Sequence, residues 1–212
     1  AAETTSFWLR RVVNDGAGIT DISKAVQIIV HPLITGNMIG SDTTLCFNQN
    51  PEELYPLNTG PGGGTGLYLY TWEQSPDNAA WAAAAGANTN PKYDPQALTA
   101  TTYYHRIVNS GACTDVSTRV LITILPSITG NNIQADQTIC QGASFVNLTG
   151  DTPGGGASPV YTYHWESSPD NSLWTAAAVP NSSIGYDPQN DAPATTWYRR
   201  IIYSGLNNTC QS

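Results

Sequence analysis

Trp72-Glu73-Gln74-Ser75-Pro76-Asp77-Asn78 recurs 93 positions later as Trp165-Glu166-Ser167-Ser168-Pro169-Asp170-Asn171. The flanking residues recur in the same order. Ile34-Thr35-Gly36-Asn37 returns as Ile128-Thr129-Gly130-Asn131, and Leu45-Cys46 returns as Ile139-Cys140, both 94 positions on. Trp81 returns as Trp174, and Tyr93-Asp94-Pro95-Gln96 as Tyr186-Asp187-Pro188-Gln189. Tyr103-Tyr104-His105-Arg106-Ile107-Val108 returns as Trp197-Tyr198-Arg199-Arg200-Ile201-Ile202. Self-similarity at a fixed period marks a chain built from stacked structural repeats.

The series extends toward the N-terminus. Trp8-Leu9-Arg10-Arg11-Val12-Val13 matches Tyr103 to Val108, and Thr20-Asp21-Ile22-Ser23 matches Thr114-Asp115-Val116-Ser117. The predicted organisation is therefore 1–34 as the C-terminal strands of a preceding repeat, 35–128 as a complete repeat, and 129–212 as a repeat lacking its last strand. The first residues, Ala1-Ala2-Glu3, include no initiator Met and no signal peptide, so the chain is expected to be a processed product, a cloned segment or part of something longer, and its misregister with the repeat favours a window of a continuous array.

Within each unit the pattern is of short strands. Leu67-Tyr68-Leu69-Tyr70-Thr71-Trp72 and Tyr161-Thr162-Tyr163-His164-Trp165 are rich in aromatic residues, and Val120 to Leu125 is mostly β-branched and stops at Pro126. Asn109-Ser110-Gly111 and the Ser-Pro-Asp-Asn clusters supply turns. Residues 79–87 look helical by propensity, but Trp81 and Gly86 favour a strand and a turn. About seven strands in ~94 residues is the count of an immunoglobulin-like sandwich. The expected fold is all-β: tandem Ig-like antiparallel β-sandwich repeats of about 94 residues in a linear array, with Trp72 and Trp165 filling cores beside Tyr104 and Tyr198.

Composition narrows the function. Only 11% of the 212 residues are charged, the formal net charge is −8, and Lys24 and Lys92 are the only lysines. Phosphate neutralisation needs clustered cations, so no nucleic-acid partner is expected, and anionic lipid is disfavoured on the same ground. No apolar run is long enough for a spanning helix, so no membrane insertion is expected. Apolar residues at 40% are enough to fill cores.

Four cysteines fall two per repeat, and the expected disulfides join Cys46 to Cys113 and Cys140 to Cys210. Each would close a loop of about 70 residues, worth roughly 4 kcal/mol in the chain-entropy account, and would place the chain in an oxidising compartment. In the partial N-terminal unit, Ile19 stands where Cys113 would be.

No catalytic constellation emerges, and the chain is not expected to be an enzyme. His31, His105 and His164 have Leu125, Arg199 and Thr71 as repeat equivalents, and they read as exposed strand histidines. Gly62-Gly63-Gly64 and Gly154-Gly155-Gly156 lack the lysine and helix of a phosphate cradle and read as flexible hairpin loops with exposed tips. Asp77, Asp94, Asp170 and Asp187 read as turn caps. No cofactor or metal is expected. Calcium is the one cation with suitable oxygen ligands at such turns, though the Asp-x-Asp ladder of dedicated calcium sites is absent. Glu73 and Glu166 each follow a Trp, but their duplication in both repeats reads as scaffold rather than as a glycosidase pair. Of Arg199 and Arg200, and likewise Arg10 and Arg11, one is expected to lie over an aromatic ring and its neighbour to face solvent.

The ordered set Leu45-Cys46, the Gly-rich loop, Trp72 to Trp81, Tyr93-Asp94-Pro95, Thr102 to Arg106 and Ser110-Gly111-Ala112-Cys113 resembles the Ig-like repeats of giant Bacteroidota surface proteins, of which the SprB-like gliding adhesins are members. The resemblance covers the whole chain. It implies export by the type IX secretion system and display as a fibre or adhesin stalk outside the cell, serving attachment or gliding. The family's terminal sorting domain has no counterpart here. Asp42-Thr43-Thr44 resembles the Bacteroidota O-glycosylation motif, with Thr43 as acceptor. The sequons Asn147-Leu148-Thr149 and Asn207-Asn208-Thr209 carry no weight in a bacterium.

The expected partners are neighbouring repeats or copies of the same chain, with surface polysaccharide as a further candidate. Two other functions compete with the stalk. One is a self-assembling filament subunit, completed when residues 19–30 of another chain add to the open edge of the last repeat. The other is a carbohydrate-binding module using exposed Trp and Tyr.

Overall fold

A computed structural model describes residues 4–134, 136–140, 142–188, 194–205 and 209–212. Gln189 of the repeated Tyr-Asp-Pro-Gln motif and Asn207-Asn208 of the second sequon lie outside the described residues. The described residues form strands and turns, with no α-helix among them. The strands are β1 (Phe7–Leu9), β2 (Val12–Asn14), β3 (Thr20–Ile22), β4 (Val26–Ile28), β5 (Thr43–Leu45), β6 (Leu69–Ser75) and β7 (Ala82–Ala83). They continue with β8 (Thr102–Ser110), β9 (Cys113–Val116), β10 (Val120–Ile124), β11 (Tyr161–Ser168), β12 (Thr175–Ala176), β13 (Trp197–Ser204) and β14 (Cys210–Gln211). Residues 79–87 contain the short strand β7 and a turn at Gly86 (φ 74°), as Trp81 and Gly86 suggest.

The chain divides into two compact units: 1–42, 51–96 and 102–122 form the first, and 43–50, 97–101 and 123–212 form the second. The larger sheet runs β5-β10-β8-β6-β7, with β9 against β8. Within it, β5 lies beside β10, whose last residues Thr123 and Ile124 group with β5 in the second unit. The second unit also holds the sheet β12-β11-β13-β14. The two sheets therefore differ in size rather than forming two matching sandwiches. Among the described residues the second has no counterpart of β5, because 137–139 form no strand, and the residues that would match Val120–Ile124 lie past Ser212.

Strand registers reproduce the sequence repeat. β6 pairs β8 with Trp72 opposite Arg106, and β11 pairs β13 with Trp165 opposite Arg200. The layer facing each sheet is built from isolated bridges: Thr35–Gly62, Ile39–Pro56 and Leu54–Tyr93 in the first unit, and Thr129–Gly154, Ile133–Gly150 and Leu148–Tyr186 in the second. The N-terminal ribbons follow the same scheme. Leu9 faces Val26 as Tyr104 faces Val120, and Val13 faces Asp21 as Val108 faces Asp115. The continuous β8 is replaced there by two short strands, β1 and β2, broken at Arg10-Arg11. No described strand runs beside β1 and β2 as β6 runs beside β8. Val108 is fully buried, while its equivalent Val13 is 48% exposed.

Each core is an aromatic row. In the first unit Trp72 stacks on Tyr93 at 5.6 Å, and Tyr93 tilts against Tyr104 at 5.5 Å. In the second, Trp165, Tyr186 and Tyr198 repeat this at 5.7 and 5.4 Å. The indole N–H of Trp72 donates to Asn90 O and that of Trp165 to Ser183 O, so both rings are buried with their polar edge satisfied. Burial pushes the Tyr104 phenol well above the ordinary tyrosine value.

A buried arginine completes each row. Arg106 is wholly inaccessible, with its guanidinium over Tyr70 at 5.4 Å and Trp72 at 5.6 Å. Its Nε donates to Asn37 Oδ1 at 2.9 Å and its Nη1 to Pro91 O at 2.7 Å. Asn37 Nδ2 donates in return to the carbonyls of Arg106 and Asp115. In the second unit Arg200 lies over Tyr163 and donates to Asn131 Oδ1, Ile184 O, Gly130 O and Asp151 O. Burial pulls both guanidinium groups below the ordinary arginine value. Arginine starts so high that they stay charged, and desolvation is offset by the ring faces and carbonyl dipoles. The recurrent Ile-Thr-Gly-Asn motif is thus the arginine's partner, with Asn and Arg 69 residues apart in both units.

The neighbouring Arg199 does not simply face solvent. It lies 4.4 Å over Trp174 and bonds Glu166 at 2.6 Å, so both members of the pair cover rings. The triple glycines differ from the flexible loop expected of them. A Cβ on Gly63 would sit 2.0 Å from Leu33 O, and one on Gly155 2.0 Å from Ser127 O. Both have positive φ, so the loops are glycine because neighbouring backbone leaves no room. Tyr68 and Tyr161 pin them further by donating to Gly63 O and Gly155 O.

Replacing Asn37 by Ala leaves the buried Arg106 Nε without its partner and removes one donor each from the carbonyls of Arg106, which keeps Ser117 N, and Asp115. The expected loss is about 2–4 kcal/mol, read as a lower urea midpoint at unchanged slope.

Candidate functional site

The feature that stands apart from the repeated scaffold is the disulfide. Cys46 follows β5 in a tight turn, where Cys46 N donates to Gln49 Oε1 at 2.9 Å and Gln49 N to Cys46 O at 3.2 Å. Asn48, with φ 62°, donates its N–H to Leu98 O, tying the turn to 97–101. Leu45 O accepts from Leu125 N at 2.8 Å. On the other side, β14 pairs with the end of β13, placing Cys210 opposite Ser204. Cys46 and Cys210 are both buried and are joined, with Cα atoms 5.6 Å apart.

This corrects the expected pairing. Cys46 does not bond Cys113, and Cys210 does not bond Cys140; Cys113 is a half-buried thiol and Cys140 an exposed one. The reason is the allocation of segments. Cys46 packs in the second unit together with Cys210, whereas Cys113 opens β9 in the first, opposite Ser110. Sequence spacing suggested that a repeat closes on itself. The bond instead links an early cysteine of one repeat to a late cysteine of the next.

The remaining candidate residues are spread over both units. Thr43 is exposed at the start of β5, and the preceding Asp42 accepts from Leu121 N and lies 3.6 Å from Arg119. His31 is exposed, but His105 is not the exposed strand histidine expected. It stacks on Trp81 at 3.8 Å and contacts Glu73 Oε2 at 2.8 Å. In the second unit Arg199, Trp174 and Glu166 occupy the same positions. An imidazole and a guanidinium therefore each cover one face of Trp81 and Trp174 respectively. His164 borders a shallow open depression of about 340 Å³ with Thr162, Tyr163 and Tyr203.

The turn aspartates are engaged locally. Asp77 Oδ1 accepts from the N–H groups of Ala79 and Ala80 and from Ser75 Oγ, and Asp170 repeats this with Ser172, Leu173 and Ser168. Amide donation holds both carboxylates below their ordinary value. Asp94 similarly accepts from Gln96 N. Among the described residues no three His, Cys, Asp or Glu side chains cluster as metal ligands would.

The molecule is thus a disulfide-bonded, all-β structural domain of several small sheets, in keeping with an immunoglobulin-like architecture in general. It belongs to the family described as Domain of unknown function (DUF8696), whose pattern matches residues 35–126 and again 129–212. Comparison with curated proteins returns no match.

Two outcomes follow. Asp77 and Asp170 are depressed in the folded state, so the unfolded chain binds their protons first as pH falls. Their contribution is present above the ordinary aspartate value of 3.8 and is lost as pH drops through the lower folded values. Thermal melts from pH 5 to 2 should therefore fall less steeply for a variant combining Asp77→Ala with Asp170→Ala. Reduction of Cys46–Cys210, which are 164 residues apart, should cost about 5 kcal/mol in the chain-entropy account, read as a lower denaturant midpoint.

Proposed function

We propose that this chain is a stretch of tandem Ig-like repeats, about 94 residues each, in an extracellular fibre or adhesin stalk on a bacterial surface, with a mechanical rather than catalytic role. The observation that carries the reading is the repetition itself. One set of registers and one buried Arg–Asn pair recur down the chain. A disulfide between successive repeats supports an oxidising location. The sparse charge and formal net charge of −8 suit a surface without nucleic-acid partners. The resemblance to SprB-like repeats supports a Bacteroidota source, type IX secretion and a part in attachment or gliding.

One observation favours self-assembly as a second reading. Trp8, Leu9, Val12, Val13, Ile19, Ile22, Val26 and Ile29 are all exposed on 7–30, apolar surface on both sides of these ribbons that strands of another copy could cover. Sedimentation separates the two, since a filament subunit associates with rising concentration and an array segment stays at 22.6 kDa.

The surface reading is tested on the producing bacterium with an antibody to this chain. The expected result is a band far above 22.6 kDa that disappears when protease is added to intact cells. A band at 22.6 kDa, or one that survives until the cells are lysed, overturns it.

A further inference from the structure

The free cysteines occupy the same repeat positions as the bonded ones. Cys140 is the repeat equivalent of Cys46, and Cys113 that of Cys210. The bond that forms runs from the early position of one repeat to the late position of the next. We propose that Cys140 and Cys113 are half-sites of the same link: Cys140 bonds the late cysteine of the repeat that follows, and Cys113 the early cysteine of the repeat that precedes. The array is then stitched by one disulfide across successive repeats. This rests on the tandem-array reading above.

Two independent observations point to a missing partner at Cys140. Residues 43–50 fold with the second unit rather than with the rest of their own repeat. There Thr43–Leu45 is a strand and Cys46 is buried. The equivalent 137–139 form no strand, Cys140 is exposed, and Val146 beyond it is 66% exposed. The segment has the sequence of a turn that docks on a following repeat, and here it lacks the contacts that order its twin. The link is not universal along the chain, because Ile19 holds the late position in residues 1–34 and offers no thiol.

The chemistry is thiol–disulfide exchange. The Cys140 thiolate attacks a small-molecule disulfide such as oxidised glutathione and releases one glutathione thiol. The late cysteine's thiolate then attacks the Cys140 sulfur of the mixed disulfide and releases the second. Two protein thiols lose two protons and two electrons, and the glutathione disulfide leaves as two thiols.

The test extends the whole chain by one repeat. Residues 116–212 are appended after Ser212, with Cys140→Ser in the appended copy so that Cys140 is unique. After refolding with oxidised glutathione, free thiols are alkylated and disulfide-linked peptides are identified by mass. The two copies of Cys210 are told apart because only the last precedes the chain end. The expected map joins Cys140 to the last Cys210 copy, retains Cys46 with the first, and leaves Cys113 alone alkylated. Cys140 left as a free thiol, or bonded to Cys113 or to the first Cys210, overturns the proposal. The unextended chain gives a second reading: Cys46 bonded to Cys210 with Cys113 and Cys140 both alkylated agrees with it, and a Cys46–Cys113 or Cys140–Cys210 bond overturns it. The map is made on purified protein, so its failure leaves the surface reading standing, and failure of the protease experiment leaves the map standing.

Discussion

The contact on which the rest depends is the guanidinium of Arg106 held between aromatic rings and an asparagine. A charge with no access to water costs heavily unless it is compensated, and here the fold brings partners for Nε and Nη1 and two ring faces from distant segments, while Nη2 is buried without a hydrogen-bond partner among the described residues. Asn37 comes from the loop before β5, Pro91 from the loop after β7, and the rings from β6. The asparagine also fastens the carbonyls of Arg106 and Asp115, so one side chain joins β8, β9 and the facing layer. That a second arginine 94 positions on is held in the same way, with different loop residues, identifies the pair rather than the loops as the organising element.

Much of this was legible because it rests on local patterns. The strands around Trp72 and Trp165 carry their own propensity, the Ser-Pro-Asp-Asn turns cap themselves, and the placement of Trp72 beside Tyr104 and of Trp165 beside Tyr198 follows from aromatic-rich neighbouring strands. The asparagine partner was also within reach, since Asn37 and Arg106 recur at equal spacing, but a neutral amide draws less notice than a carboxylate beside an arginine. The triple glycines misled for a related reason. Glycine signals either freedom or lack of room, and only the Leu33 and Ser127 carbonyls decide that lack of room governs here.

The disulfide was not legible from one repeat taken alone. Counting two cysteines per period favours closure within the period, and nothing in the residues around Cys46 announces that 43–50 fold with the next repeat. The repeat in sequence and the compact unit in space are offset from each other. A boundary read from periodicity therefore falls where the chain repeats, not where it packs.

The position of that sulfur bond has a mechanical meaning. A pull on the two chain ends reaches Cys46 and Cys210 before it reaches anything between them, and passes directly from one to the other. The intervening stretch, 164 residues in sequence and roughly 560 Å if drawn out straight, is excluded from extension while the bond is intact. Both aromatic cores lie inside it, so tension is carried by a covalent bond instead of by their packing, and the redox state of one cysteine pair sets how far this segment can stretch.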